Sequence, residues 1–119
     1  MYHHIGLKVN DLAASCRFYQ AALAPLGYVL GSHDESYAGI GPVDAPALWL
    51  YAAPGTKSPG THIAFRVANH KIVDAVYKAG LKAGATDNGG PGLRPDYSPT
   101  YYAAFLIDPD GNNVEAVCS

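Results

Sequence analysis

"HHIGLKV" at residues 3–9 is answered half a chain later by "THIAFRV" at residues 61–67, so one strand-like pattern is spelled twice, each time behind a histidine. His4 and His62 lie 58 residues apart, and aligning them also sets Ile5 on Ile63, Lys8 on Arg66 and Val9 on Val67. Further on, "DAPALWLY" (44–51) lies over "DGNNVEAV" (110–117) and pairs Asp44 with Asp110, Leu48 with Val114 and Trp49 with Glu115, which are 66 residues apart. The second copy is therefore eight residues longer. The surplus falls in "DNGGPGLRPDYSP" (87–99), whose glycines and prolines cannot continue a regular element and read as a long loop. Long loops inside compact domains are often functional.

With 119 residues, 49% of them hydrophobic, the chain can bury one core but hardly two, so the repeats, about 1–55 and 58–119, are expected to be modules of a single domain. Each half reads as an alternating strand, a helix and further strands. "DLAASCRFYQAAL" (11–23) places Leu12, Cys16, Tyr19 and Leu23 on one helical stripe behind an Asp11 cap. "NHKIVDAVYKAGLKAG" (69–84) repeats the design, with Asn69 as cap, Ile72, Val73, Val76, Tyr77 and Leu81 on one face, and Gly84 as stop. "DPDG" (108–111) is a strong turn signal between the last two strands.

A net charge of −2 and a pI near 6.1 offer no basic field for nucleic acid, which leaves small molecules or proteins as partners. No apolar run approaches the roughly 20 residues that span a bilayer, and no signal-peptide pattern opens the chain, so a cytoplasmic location is expected. Cys16 and Cys118 lack both the number of a disulfide scaffold and the spacing of a structural zinc site, and read as reduced core thiols.

Alternation assigns the side chains. Ile5, Leu7 and Val9 share one face of the first strand and should meet the helix, which turns His4 to the opposite, concave side. The same count turns His62 away from Ile63, Phe65 and Val67, sets Glu115 opposite Val114 and Ala116, and sets Trp49 and Tyr51 opposite Leu48 and Leu50. Two imidazoles and a carboxylate looking toward a shared cavity form a set that binds Fe(II), Mn(II), Ni(II) or Zn(II) with positions left open for substrate or water. An inward Glu115 in a strand otherwise suited to burial needs a partner. His3, His33 and His70 are expected at the surface.

Paired βαβββ modules opening on "HHIGLKVNDL" and "THIAFRV" and closing on "DPDGNNVEAV" resemble the vicinal oxygen chelate superfamily, the group of glyoxalase I, bleomycin resistance proteins and extradiol dioxygenases. The resemblance spans essentially the whole chain. It implies an α+β fold of two tandem βαβββ modules, with a curved mixed sheet around a concave cavity and helices on the outer face, and it implies a homodimer. In glyoxalase I the four metal ligands come from the first and last strands of each module, at positions matching His4, Trp49, His62 and Glu115. Indole cannot ligate a metal through its N–H, so glyoxalase I itself is disfavoured. The His4, His62, Glu115 set resembles the facial triad of extradiol dioxygenases, although those enzymes are longer. The bleomycin-resistance type uses the same groove for metal-free binding.

Substrate contacts are expected from Trp49, a flat wall, and from "GLRPDYSPTYYAAF" (92–105), where Arg94, Tyr97, Tyr101 and Tyr102 can hold a carboxylate or phenolate. Tyr101 and Tyr102 face opposite sides, so at most one reaches the cavity unless a bulge intervenes. The sequence thus points to a divalent-metal-dependent lyase or dioxygenase acting on a small oxygen-rich or aromatic molecule, with Glu115 as catalytic ligand. The alternative is a metal-free protein that sequesters a drug or aromatic ligand.

Overall fold

In a computed structural model describing Met1–Ser119, the first repeat builds β1 (Ile5–Val9), α1 (Leu12–Leu23), a 3-10 turn (Ala24–Leu26), β2 (Val29–His33), β3 (Tyr37–Gly41) and β4 (Leu48–Ala52). The second builds β5 (His62–Arg66), α2 (His70–Lys82), the two-residue strands β6 (Thr86–Asp87) and β7 (Gly92–Leu93), then β8 (Tyr102–Ile107) and β9 (Asn113–Cys118). Both helices start where their caps predict: the Asp11 carboxylate accepts from the Ala14 N–H and the Asn69 side-chain oxygen from the Ile72 N–H. Each thereby satisfies one of the donors that a first helical turn leaves free.

The strands form two mixed sheets, ordered β1-β4-β3-β2 and β5-β9-β8-β6, with β7 also paired to β8. In both, the first strand of the module runs parallel to the last, and every other pairing is antiparallel. The expected α+β tandem-module fold is present. The 87–99 stretch, read as a long loop beyond a strand expected in "GATDNG" (84–89), is partly recruited: Asp87 pairs with Leu106 within that expected strand, and Leu93 pairs with Tyr102, since the bare edge of β8 offers unpaired N–H and C=O groups.

One core joins the modules. Leu7, Val9, Leu48 and Leu50 from the first sheet and Ile63, Leu106, Val114 and Ala116 from the second belong to a single buried cluster with Phe18, Tyr19, Val73 and Val76 of the helices. α1 packs on β3 and β4, α2 on β8 and β9, and the helices pack on each other. A Cβ at Gly80 would stand 2.3 Å from the Leu106 side chain and 3.2 Å from Phe18, so glycine lets α1, α2 and β8 meet closely at that point. Because α1 covers both its own sheet and α2, its buried face is broader than the expected stripe: Ser15, Phe18 and Ala22 join Tyr19 and Leu23, while Cys16 is only half-buried. Leu81, expected on the apolar face of α2, is instead exposed. Both cysteines are free and half-buried, and burial pushes the Cys16 thiol up.

The "DPDG" turn ties the modules together. Asp108, 4% exposed, accepts from the Tyr19 hydroxyl, the Asn112 side chain and the backbone N–H groups of Asp110 and Asn112. Burial and the adjacent Asp108 carboxylate push the Tyr19 phenol far up, keeping it a donor. Asp110 accepts from the Asn10 N–H and the Ser15 hydroxyl, anchoring the end of β1 and the start of α1 to the second module.

Candidate metal and ligand site

The sheet faces turned away from the helices carry the predicted residues. On β1, Leu7 and Val9 are buried, whereas His4, Gly6 and Lys8 are exposed. On β5, Ile63 and Val67 are buried, and His62, Ala64 and Arg66 are exposed. The alternation read from the sequence therefore holds in both modules except at Ile5, the first residue of β1, expected to meet the helix but exposed.

Glu115 is the best-organised residue on these faces. Its side chain is 3% exposed, with Oε1 2.9 Å from Nε2 of His62, the only ion-pair geometry in the chain, and Oε2 accepting from the Tyr101 hydroxyl. Both carboxylate oxygens are thus partnered, which is what burial of a carboxylate requires. The hydrogen bond to Glu115 is the main cause pushing the Tyr101 phenol up to about 12, so Tyr101 stays protonated and donating at neutral pH. Phe105, opposite Glu115 in the β8–β9 register, carries the Arg94 guanidinium 5.4 Å from its ring centroid, and its ring centroid lies 6.4 Å from that of His62. Sequence reasoning missed Phe105, although its register with Glu115 follows from counting back through the "DPDG" turn.

The other predicted residues divide. Arg94 donates to the carbonyls of Gly90 and Leu93 and meets no carboxylate, so its charge is free for a ligand. Tyr97, 65% exposed, packs edge-on against Tyr101 at 5.0 Å. Tyr102 is a correction: it faces α2, where its hydroxyl donates to Asp74 at 2.6 Å and its ring stacks on His70 at 3.9 Å. The alternation of β8 puts Tyr102 with Ala104 and Leu106 on the helix side, and no bulge reverses it. Trp49, half-buried, lies over Gly39 of β3.

His4 does not join His62 and Glu115 within one chain. Its Nδ1 faces Nδ1 of His3 at 2.8 Å, and no group of three or more His, Cys, Asp or Glu stands together in a metal-holding arrangement. The shared cavity expected for the two histidines is therefore not closed by a single copy, because the modules meet through their helices and leave these faces to solvent. A groove of about 1070 Å³ lies elsewhere, by the C-terminal ends of the helices between Ala21, Tyr28, Val29 and Ala83, and contains none of these donors.

A family model described as the Glyoxalase/Bleomycin resistance protein/Dioxygenase superfamily matches residues 2–116. The chain belongs to this superfamily. Among solved structures, a glyoxalase/bleomycin resistance protein from Albidiferax ferrireducens is 31% identical with a TM-score of 0.82, covering 100% of this chain and 99% of that one. A glyoxalase/dioxygenase from Nostoc punctiforme is 24% identical (TM-score 0.74; 100% and 90% covered). A glyoxalase/bleomycin resistance protein/dioxygenase family enzyme from Burkholderia phytofirmans is 19% identical (TM-score 0.76; 98% and 96% covered). These last two share the fold. No protein of curated function matches the chain. The superfamily includes glyoxalases and dioxygenases, and its members commonly bind divalent metals and small-molecule substrates and often form dimers. In this member, His62 and Glu115 are donors of the right chemistry for such an ion, and one chain supplies these two and no third beside them. No helix is long and apolar enough to cross a membrane.

Proposed function

We propose that this protein is a divalent-metal-dependent enzyme of the vicinal oxygen chelate type, acting on a small oxygen-rich or aromatic molecule at a centre shared by two copies of the chain. His62 and Glu115 of one copy and His4 of the other would hold an Fe, Mn, Ni or Zn ion. The observation that carries this reading is the buried Glu115 carboxylate, held 2.9 Å from the His62 imidazole on a face that an isolated chain leaves open. A divalent cation at that position supplies Lewis acidity toward oxygens of a bound substrate. The protein residues supply the rest: Arg94 anchors a substrate carboxylate or phenolate, Tyr97 offers a hydroxyl at the rim, Tyr101 steadies Glu115, and Glu115 is positioned to exchange a proton with substrate.

Metal analysis of chelator-free protein supplemented with the four metals tests the reading. We expect about one ion per chain, lost in His62→Ala, because the ligands act together. Exchange of subunits between His4→Ala and His62→Ala proteins tests the sharing. Random pairing gives one intact donor set in each mixed dimer and restores roughly a quarter of the wild-type metal. No recovery would confine the ligands to one chain or remove His4 from the set. A metal-free binding role, favoured by Trp49 standing where a fourth ligand would be, predicts instead that ligand affinity is unchanged in His4→Ala and Glu115→Ala.

A further inference from the structure

The first module turns toward solvent an aromatic surface that rests on glycines. A Cβ at Gly39 would lie 2.6 Å from the Trp49 ring, and one at Gly6 would lie 2.9 Å from the Tyr51 ring. Each ring therefore occupies the space over backbone that any other residue would fill. Trp49 sits beside Gly39 and Gly6 in the ladder, and Tyr51 beside Lys8 and Tyr37, so these side chains share one face of the sheet. Tyr37 continues the surface with its ring centroid 6.0 Å from that of Trp49, and its hydroxyl is fixed by Ser32 at 2.7 Å. Tyr51 remains 44% exposed.

A flat, solvent-facing aromatic floor is a costly use of two glycines unless something flat lies upon it. Next to it is an unsatisfied charge. Lys8 is exposed on the same face and makes no ion pair or side-chain hydrogen bond in the chain. Resting on the proposal that these faces are the ligand-binding ones, we infer that the floor binds a planar aromatic carboxylate, with its ring over Trp49 and Tyr51 and its carboxylate on Lys8. Stacking favours a flat π-system over a saturated ring of similar size, and the lysine favours an anion over a neutral analogue. This floor lies on the first module, on the face that carries His4, and in the proposed shared centre it would stand opposite the His62–Glu115 pair of the other copy.

Trp49 is the only tryptophan, so emission excited selectively at the indole, away from the nine tyrosines, reports on this surface. Chelated wild-type protein is titrated with 2-naphthoate, following heat and Trp49 emission, with cyclohexanecarboxylate and 2-naphthylmethanol as controls. We expect 2-naphthoate to bind and perturb the emission, and either control, Lys8→Met or Trp49→Leu to weaken binding about tenfold. Lys8 is exposed, so Lys8→Met keeps the fold, and equal circular dichroism and melting confirm that. Equal affinity in Lys8→Met, or equal affinity for cyclohexanecarboxylate, overturns the inference. The two proposals fail separately. Naphthoate binding to wild-type and His62→Ala protein that never takes up metal sinks the metal centre and leaves the floor standing. Normal metal content without naphthoate binding sinks the floor alone.

Discussion

In the first module the closing strand β4 lays Trp49 over Gly39, whereas β9, its counterpart in the second, buries the Glu115 carboxylate between His62 and Tyr101. The ladders are equivalent: Gly6 pairs with Trp49 as Ala64 pairs with Glu115. One backbone position thus presents a flat apolar surface in one copy and a partnered anion in the other. The fold fixes where a side chain is displayed, and the residue displayed there fixes the chemistry, so the repeated module yields an aromatic surface in one copy and a buried, partnered carboxylate in the other from a single plan.

The preceding turns differ in the same sense. The second module builds its turn on a buried aspartate, while the first places Asp44 at φ +58°, in the left-handed region, with only a backbone turn around it. Asp108→Ala removes an acceptor serving four donors and leaves the Tyr19 hydroxyl and the N–H groups of Asn112 without an acceptor in the interior, so it should cost about 3 kcal/mol or more. Asp44→Gly relieves the backbone and should shift stability by less than about 1 kcal/mol, toward stabilisation. Urea denaturation of the two variants checks the contrast, and equal effects would break it.

Much of this asymmetry is legible in the sequence. Asp11 and Asn69 announce their helices through short side chains that reach the first turn, and period-two alternation sorts His4, Trp49, His62 and Glu115 onto the faces where they are found. What alternation does not encode is how the modules meet. Phe18 and Gly80 look ordinary in the sequence, yet they stand where helix meets helix, the arrangement in which His4 does not stand with His62 in one chain. The pairing of β7 with β8 is equally hidden, because a two-residue strand has no period to read. Trp49 over Gly39 is a contact between neighbouring strands that neither strand alone predicts.

Two glycines sharpen the comparison further. Gly80→Ala forces a methyl against Leu106 in the shared core and should cost about 1–3 kcal/mol. Gly39→Ala makes a similar close approach to Trp49, but that ring borders solvent and can swing away, so the cost should stay below about 1 kcal/mol. Its signature is a change in Trp49 emission with little change in melting. A large stability loss in Gly39→Ala would show that the aromatic floor is core rather than binding surface.

The donor half is tested at Tyr101. Tyr101→Phe removes the hydroxyl on Glu115 Oε2 and should cost about 1 kcal/mol, with metal uptake weakened about tenfold because a supporting hydrogen bond is lost from a proposed ligand. Its pH dependence has a defined sign. The Tyr101 phenol is raised from 10.0 to about 12 in the folded chain, so the folded state holds this proton more tightly than the unfolded one. Its contribution is fully present below pH 10 and fades as pH rises toward about 12. Tyr19, Tyr77 and Tyr102 are also raised, so wild-type stability should fall across this alkaline window, and Tyr101→Phe should fall less steeply. Identical slopes in denaturant titrations over that range would mean that the Tyr101–Glu115 contact contributes nothing in solution, and would leave His62 as the only partner steadying the carboxylate.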